Sequence, residues 1–173
     1  MATDSVYWIQ GPWPGRLAII PRPRGGDWLE QELNSWASAG LSVIVSLLTP
    51  DEADELDITQ EAELTRLRGI HFYSFPVPDR SVPASRAETL KVVKELHRHL
   101  AAGNSVGIHC RQGIGRSALL AASLLVLAGE APDDALNRIA TARGCPVPET
   151  KEQRRWVEAF ASELAASTPD QHR

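Results

Sequence analysis

The stretch Leu41–Leu48 does most to restrict what this chain can fold into. It is apolar apart from Ser42 and Ser46, carries the β-branched run Val43, Ile44 and Val45, and is bounded by Gly40 and Pro50. A short segment with no polar face fits a strand buried on both sides, the condition of a parallel sheet covered by helices. Other strand signals lie at Val6–Ile9, Arg16–Ile20, Ile70–Phe75 and Ser105–Ile108. Helical patterns separate most of them. Asp27 and Glu30 have capping-box spacing before Leu29, Leu33 and Trp36, with Gly40 at the stop. Asp57 and Gln60 form a second such pair, predicting a helix that ends near Gly69. Ala84–Ala102 turns Leu90, Val93, Leu96 and Leu100 inward, and Arg116–Ala128 is apolar almost throughout. Pro132 suits a first helical position, with Asp133 and Asp134 complementing the dipole. Glu149–Ala166 carries Trp156, Val157, Phe160 and Leu164 on one stripe. Strands alternating with helices predict an α/β single domain over residues 1–166. Its centre is a mostly parallel sheet of four to five strands with helices on both faces, and residues 167–173 form a frayed tail.

Composition narrows the class of function. The chain has 173 residues, 43% hydrophobic and 23% charged, as ordinary globular domains do, which excludes a disordered chain. A net charge of −4 argues against partners recognised by bulk charge, so neither nucleic acid nor a membrane is expected. An anion must then be held by a local site. Two cysteines, Cys110 and Cys145, make no disulfide framework and suit a reducing compartment. Met1–Gln10 lacks a signal-peptide pattern, and the longest apolar run, Ala118–Ala128, is interrupted by Ser123 and too short to span a bilayer. A cytoplasmic monomer is the expectation.

The chemistry-bearing segment is His109-Cys-Arg-Gln-Gly-Ile-Gly-Arg-Ser117, between a strand and a helix. Such a loop aims several backbone N–H groups at one point, and the helix dipole adds positive potential there. Gly113 and Gly115 allow tight curvature, and Arg116 offers a planar fork for two oxygens of a phosphate. Thiols in such turns ionise well below their free value, so Cys110 is a candidate nucleophile.

His-Cys, five residues, then Arg-Ser resembles the signature of the cysteine-dependent protein tyrosine phosphatases. The chain is most similar to their small, atypical dual-specificity members. The likeness extends to Val43–Leu48, Phe75–Asp79 and Arg143–Gln153. The resemblance implies that Cys110 attacks phosphorus and forms a phosphocysteine. It implies that Arg116 and the amides of Arg111, Gln112, Gly113, Ile114, Gly115 and Arg116 hold the phosphate oxygens. Asp79 would be the general acid and then the base. Ser117 would donate to the Cys110 sulfur, His109 would orient the loop from behind, and Gln153 would position the hydrolytic water. Thr150 and Gln153 also have capping-box spacing, so Gln153 has a purely structural alternative. No metal and no cofactor is implied. The implied partner is a phosphorylated protein bearing phosphotyrosine and phosphoserine or phosphothreonine.

Other readings stay open. A phosphoinositide or small phosphate ester could be the substrate on the same scaffold, although only Arg111 among Arg111, Gln112 and Ile114 is basic. A phosphate-binding module without turnover is a second alternative. A rhodanese or arsenate reductase could use a cysteine loop but would leave Asp79 without a role. A salt bridge to Arg80 is the structural alternative for Asp79. The acid-rich stretch around Asp51, Asp54 and Asp57 reads as a solvated face. Arg22 and Arg24 form either a lip for acidic substrates or a solvated loop. Cys145 is either an oxidation partner for Cys110 or an ordinary thiol. His71 sits in a strand, and His97 and His99 do not face each other on their helix, so no metal site is expected there. Trp36 and Trp156 read as core, whereas Trp8, Trp13 and Trp28 could line a rim.

Overall fold

The computed structural model describes residues 6–167. Five strands form one sheet: β1 (Tyr7–Ile9), β2 (Leu17–Ile19), β3 (Val43–Ser46), β4 (His71–Ser74) and β5 (Val106–His109). Their spatial order is β1-β2-β5-β3-β4, with β1 antiparallel to β2 and the remaining pairs parallel. Seven α-helices accompany them among the described residues: α1 (Leu29–Ser38), α2 (Pro50–Glu55), α3 (Glu61–Leu67), α4 (Arg86–Ala101), α5 (Arg116–Leu127), α6 (Pro132–Arg143) and α7 (Lys151–Ser167). Ser167 still belongs to α7, and the rest of the expected tail lies outside the described residues.

The period-two alternation of the strands builds two cores. Val43, Val45, Leu17, Ile19, Val106 and Ile108 face one side, beneath α4 to α7. Ile44, Ala18 and Ile20 face the other, against Leu29, Leu33 and Trp36 of α1 and against Ile58. Every residue of β3 is buried, as the apolar run requires. Helix α5 is buried along nearly its whole length, which explains a sequence that is apolar all round.

Two helix starts differ from expectation. Asp27 and Glu30 make no cap. A 3-10 turn over Gly26–Trp28 runs directly into α1. Asp57 and Gln60 make no cap either. Asp57 instead adopts φ 54°, and α3 begins at Glu61 without a side-chain cap. The working capping box lies earlier, at Thr49 and Glu52 around Pro50, and starts α2, a helix absent from the sequence reading. Asp57 does not cap because its left-handed backbone is not the extended conformation of an N-cap; its carbonyl accepts from the Gly26 N–H at 3.0 Å.

Four parallel strands bring their C-terminal ends to one edge. Residues following β2, β3, β4 and β5 therefore converge, and β5 lies between β2 and β3. Open α/β sheets bind ligands at such an edge.

Candidate active site

The loop Cys110–Gly115 joins β5 to α5, and Cys110 and Arg116 are both buried. The Gly113 N–H donates to Cys110 Sγ at 3.2 Å, so one loop amide already faces the sulfur. Gly113 sits at φ +73°, a conformation that disfavours side chains, and a Cβ there would lie 3.1 Å from the Ile19 side chain.

Arg116 is 2% exposed, and its guanidinium is held from several sides. Nη1 donates to Glu52 Oε1 at 2.6 Å and to the Val77 carbonyl at 2.8 Å. Nη2 donates to Glu52 Oε2 at 2.9 Å and to Asp79 Oδ1 at 3.1 Å. Only Nε–H is not directed at a neighbour among the described residues. Burial works against this charge. The Glu52 hydrogen bonds and the nearby Cys110 and Asp79 groups outweigh it and raise the Arg116 pKa above arginine's ordinary value. Glu52 behaves reciprocally. Burial alone would push its carboxyl up, but Arg116 and the Thr49 contacts hold it below its ordinary value.

Glu52 is the residue that the sequence reading missed. It lies in the acid-rich stretch expected to be solvated, yet it is only 7% exposed. The available signal was Thr49-Pro50 with Glu52 at the third helical position, a capping box with Pro at the start. Its carboxylate accepts from the Thr49 N–H at 3.2 Å while gripping Arg116, joining the start of α2 to the loop.

Asp79 is brought to the site. Arg80 is not its partner: it pairs with Glu149 at 3.5 Å, and Asp79 remains half exposed on Arg116. His109 lies behind the loop, fully buried. Its Nε2 is hydrogen-bonded to Glu61 and its ring is 5.8 Å from that of Trp36. Glu61 is a second carboxylate that the sequence reading did not single out. Ser117 is buried, but its Oγ has no hydrogen-bond partner, so the expected donation to the Cys110 sulfur is not made here.

Gln153 makes the cap that its spacing to Thr150 predicts. Its Oε1 accepts from the Glu149 and Thr150 N–H groups at 3.1 Å, and its own N–H donates to Thr150 Oγ1, a reciprocal cap. Its Nε2 also donates to the Ser81 carbonyl, and a Cβ on Gly115 would meet the Gln153 amide at 3.0 Å. The same side chain therefore starts α7 and touches both the Cys110 loop and the Asp79 loop. Arg111 is half exposed beside Glu55 at 3.4 Å and Glu52 at 3.8 Å.

Residues farther out do not join. Arg24 is paired with Glu32 at 2.6 Å and lies over the Trp28 ring. Trp13 donates to His97, Arg16 lies over Trp8, and Trp36 and Trp156 are buried. Cys145 is a half-buried free thiol. The His71 and His99 rings lie 5.1 Å apart and tilted by 49°, but no group of three metal-ligating side chains occurs among the described residues.

Comparison with known proteins follows the same lines. Cyclin-dependent kinase inhibitor 3 of Sus scrofa is 26% identical over 140 residues, covering 80% of this chain and 66% of that protein. The Homo sapiens protein of the same name is also 26% identical, with the same coverage. The chain thus spans just under two thirds of these relatives. Among solved structures, a kinase-associated phosphatase with its catalytic-site cysteine replaced by serine superposes with TM-score 0.86 at 22% identity, over 94% of this chain and 97% of that one. Tk-PTP in its active form gives 0.76 at 24% identity, over 92% and 98%. PTPMT1 in complex with PI(5)P gives 0.74 at 20% identity, over 92% and 97%. These structures share the fold. The family described as "Polymorphic toxin system, DSP-PTPase phosphatase" matches residues 20–130, and with that match the chain belongs to the DSP-PTPase phosphatases.

Proposed function

We propose that this chain is a protein phosphatase that hydrolyses phosphotyrosine, and phosphoserine or phosphothreonine, through a phosphocysteine intermediate. The observation that carries the reading is the buried Arg116, aligned by Glu52 beneath the loop that holds Cys110. A planar fork fixed in this way recognises an oxyanion and stabilises charge on its equatorial oxygens. A phosphate taking Nε and Nη2 of Arg116 displaces Asp79 and leaves Glu52 in place. Cys110 Sγ then forms a bond to phosphorus as the bond to the leaving oxygen breaks, and the protonated Asp79 gives its proton to that oxygen. In the second half Asp79 takes a proton from water, the water oxygen bonds to phosphorus, and the sulfur leaves as thiolate.

Ser117, with its unpaired hydroxyl, is free to turn toward that departing sulfur. Gln153 has spent its carbonyl oxygen on the α7 cap, so any hold on the water comes from its Nε2. His109 orients the loop from behind through Glu61.

A phosphorylated protein is the substrate class that this site suits. Arg111, the single basic side chain among the variable loop positions, already faces Glu55 and Glu52, which leaves little positive charge for a polyanionic headgroup. The reading includes a monomer acting in the cytoplasm. Among the described residues no helix is long and apolar enough to cross a membrane.

The test is phosphate release from an aryl phosphate and a panel of phosphopeptides, in chelator, for wild type and Cys110→Ser. Release that is lost with Cys110 supports the proposal, and the peptide ranking reports dual specificity. No release from any of these substrates overturns it in favour of a binding module or a phosphoinositide phosphatase. Vesicles carrying phosphoinositides separate those two.

A further inference from the structure

We infer that Arg143 is a positioning residue for the phosphate-binding loop, setting the direction of the Gly113 and Ile114 amides through the carbonyls on the opposite side of their peptide planes. Arg143 is the last residue of α6, ahead of Gly144 in the left-handed cap. An arginine there ordinarily complements its own helix's dipole. This one reaches a different segment. Its Nε donates to the Gly113 carbonyl at 2.9 Å and its Nη2 to the Gln112 carbonyl at 3.2 Å. Its guanidinium also lies over the Tyr7 ring of β1, 4.1 Å from the ring centre.

The consequence follows from peptide planarity. The Gln112 carbonyl and the Gly113 N–H belong to one rigid plane, and the Gly113 carbonyl and the Ile114 N–H to the next. In each plane the oxygen and the hydrogen point in opposite directions. Fixing both oxygens outward on Arg143 therefore fixes both N–H groups inward. The Gly113 N–H does point inward, at Cys110 Sγ. Without a partner these two carbonyls could rotate, since Gly113 has the conformational freedom to allow it. The space beside Gly113 is closed to a side chain: a Cβ there would lie 3.1 Å from Ile19 and 3.6 Å from Arg143 Nε. A planar fork presents two donors at a fixed spacing and direction, which a single rotating ammonium does not, so lysine is a poor replacement. Tyr7 holds the fork flat from behind, which makes the N-terminal hairpin part of the support.

This inference rests on the phosphatase reading, and its test separates the two. Binding of inorganic tungstate is measured by calorimetry on wild type, Arg143→Met and Arg143→Lys, alongside melting temperature and the kinetics of aryl phosphate turnover. Misaimed donors predict tungstate binding about 10-fold weaker and kcat/KM about 100-fold lower for Arg143→Met, much of it in kcat. The alkylation profile of Cys110 with iodoacetamide changes in Arg143→Met, because the Gly113 N–H no longer steadies the sulfur. Millimolar guanidinium ion partly restores turnover in Arg143→Ala. Should Arg143→Met fail to fold, Arg143→Lys gives the same pattern in milder form. Tungstate affinity and the alkylation profile unchanged in a folded variant would overturn the inference, whatever happens to melting temperature. Wild-type protein with no Cys110-dependent turnover but normal tungstate binding would defeat the phosphatase reading alone.

Discussion

Replacing Glu52 with glutamine isolates the charge that holds Arg116. The amide keeps one acceptor oxygen and still suits the third position of a capping box, so α2 keeps its start. What is lost is the carboxylate facing a guanidinium that is 2% exposed, across contacts of 2.6 and 2.9 Å. Removing one partner of a buried ion pair costs roughly 3–5 kcal/mol. Asp79 still touches Nη2 and one amide oxygen remains, so the low end, about 3 kcal/mol, is expected. In a domain of this size that is a drop in Tm of about 6–12 °C near pH 7. A loosened Arg116 also lowers kcat/KM by about 100-fold. The pH dependence gives a sharper check. The folded-state pKa of Glu52 lies below its ordinary 4.5, so the unfolded chain takes up the proton first on acidification. Its contribution to stability is complete above pH about 4.5 and is lost as the pH falls through the folded value. Thermal melts of wild type and Glu52→Gln should therefore converge below pH ~4.5. A gap that stays constant on acidification, or a variant melting within about 1 °C of wild type at pH 7, would refute the reasoning.

Asp79→Asn should reduce turnover most for substrates with poor leaving groups and leave oxyanion binding nearly intact; leaving-group dependence of kcat is the measurement. Gly113→Ala places a side chain at φ +73° and 3.1 Å from Ile19. It should cost about 1–2 kcal/mol, seen as a Tm lower by about 2–8 °C, with turnover falling further than stability.

Much of the architecture was legible because its signals are local. Val43, Ile44 and Val45 lie in consecutive positions, and any strand they form must be covered on both faces; the structure supplies one core for Val43 and Val45 and another for Ile44. Gly40 ends α1 at φ +85°, and Pro132 starts α6. Helix starts were less legible. Asp27 with Glu30, Asp57 with Gln60, and Thr49 with Glu52 all have the same spacing, and only the last forms a cap. Spacing permits a cap, but the tertiary contacts of the neighbouring backbone decide which pair is free to make it.

The reacting loop illustrates the same division. His109 to Ser117 is one uninterrupted segment, and a strand before it and a helix after it were enough to bring a thiol and a guanidinium to one loop. The residues that hold this loop lie elsewhere in the chain: Glu52 on Arg116 from 64 positions away, Glu61 on His109 from 48, and Arg143 on Gly113 from 30. The Thr49-Pro50 start marks Glu52 as a capping residue, but nothing in the stretch shows that its carboxylate will also grip a buried guanidinium. That contact is made when the parallel crossovers bring the end of β3 beside the end of β5. A buried guanidinium then needs a carboxylate partner, and Glu52 is within reach.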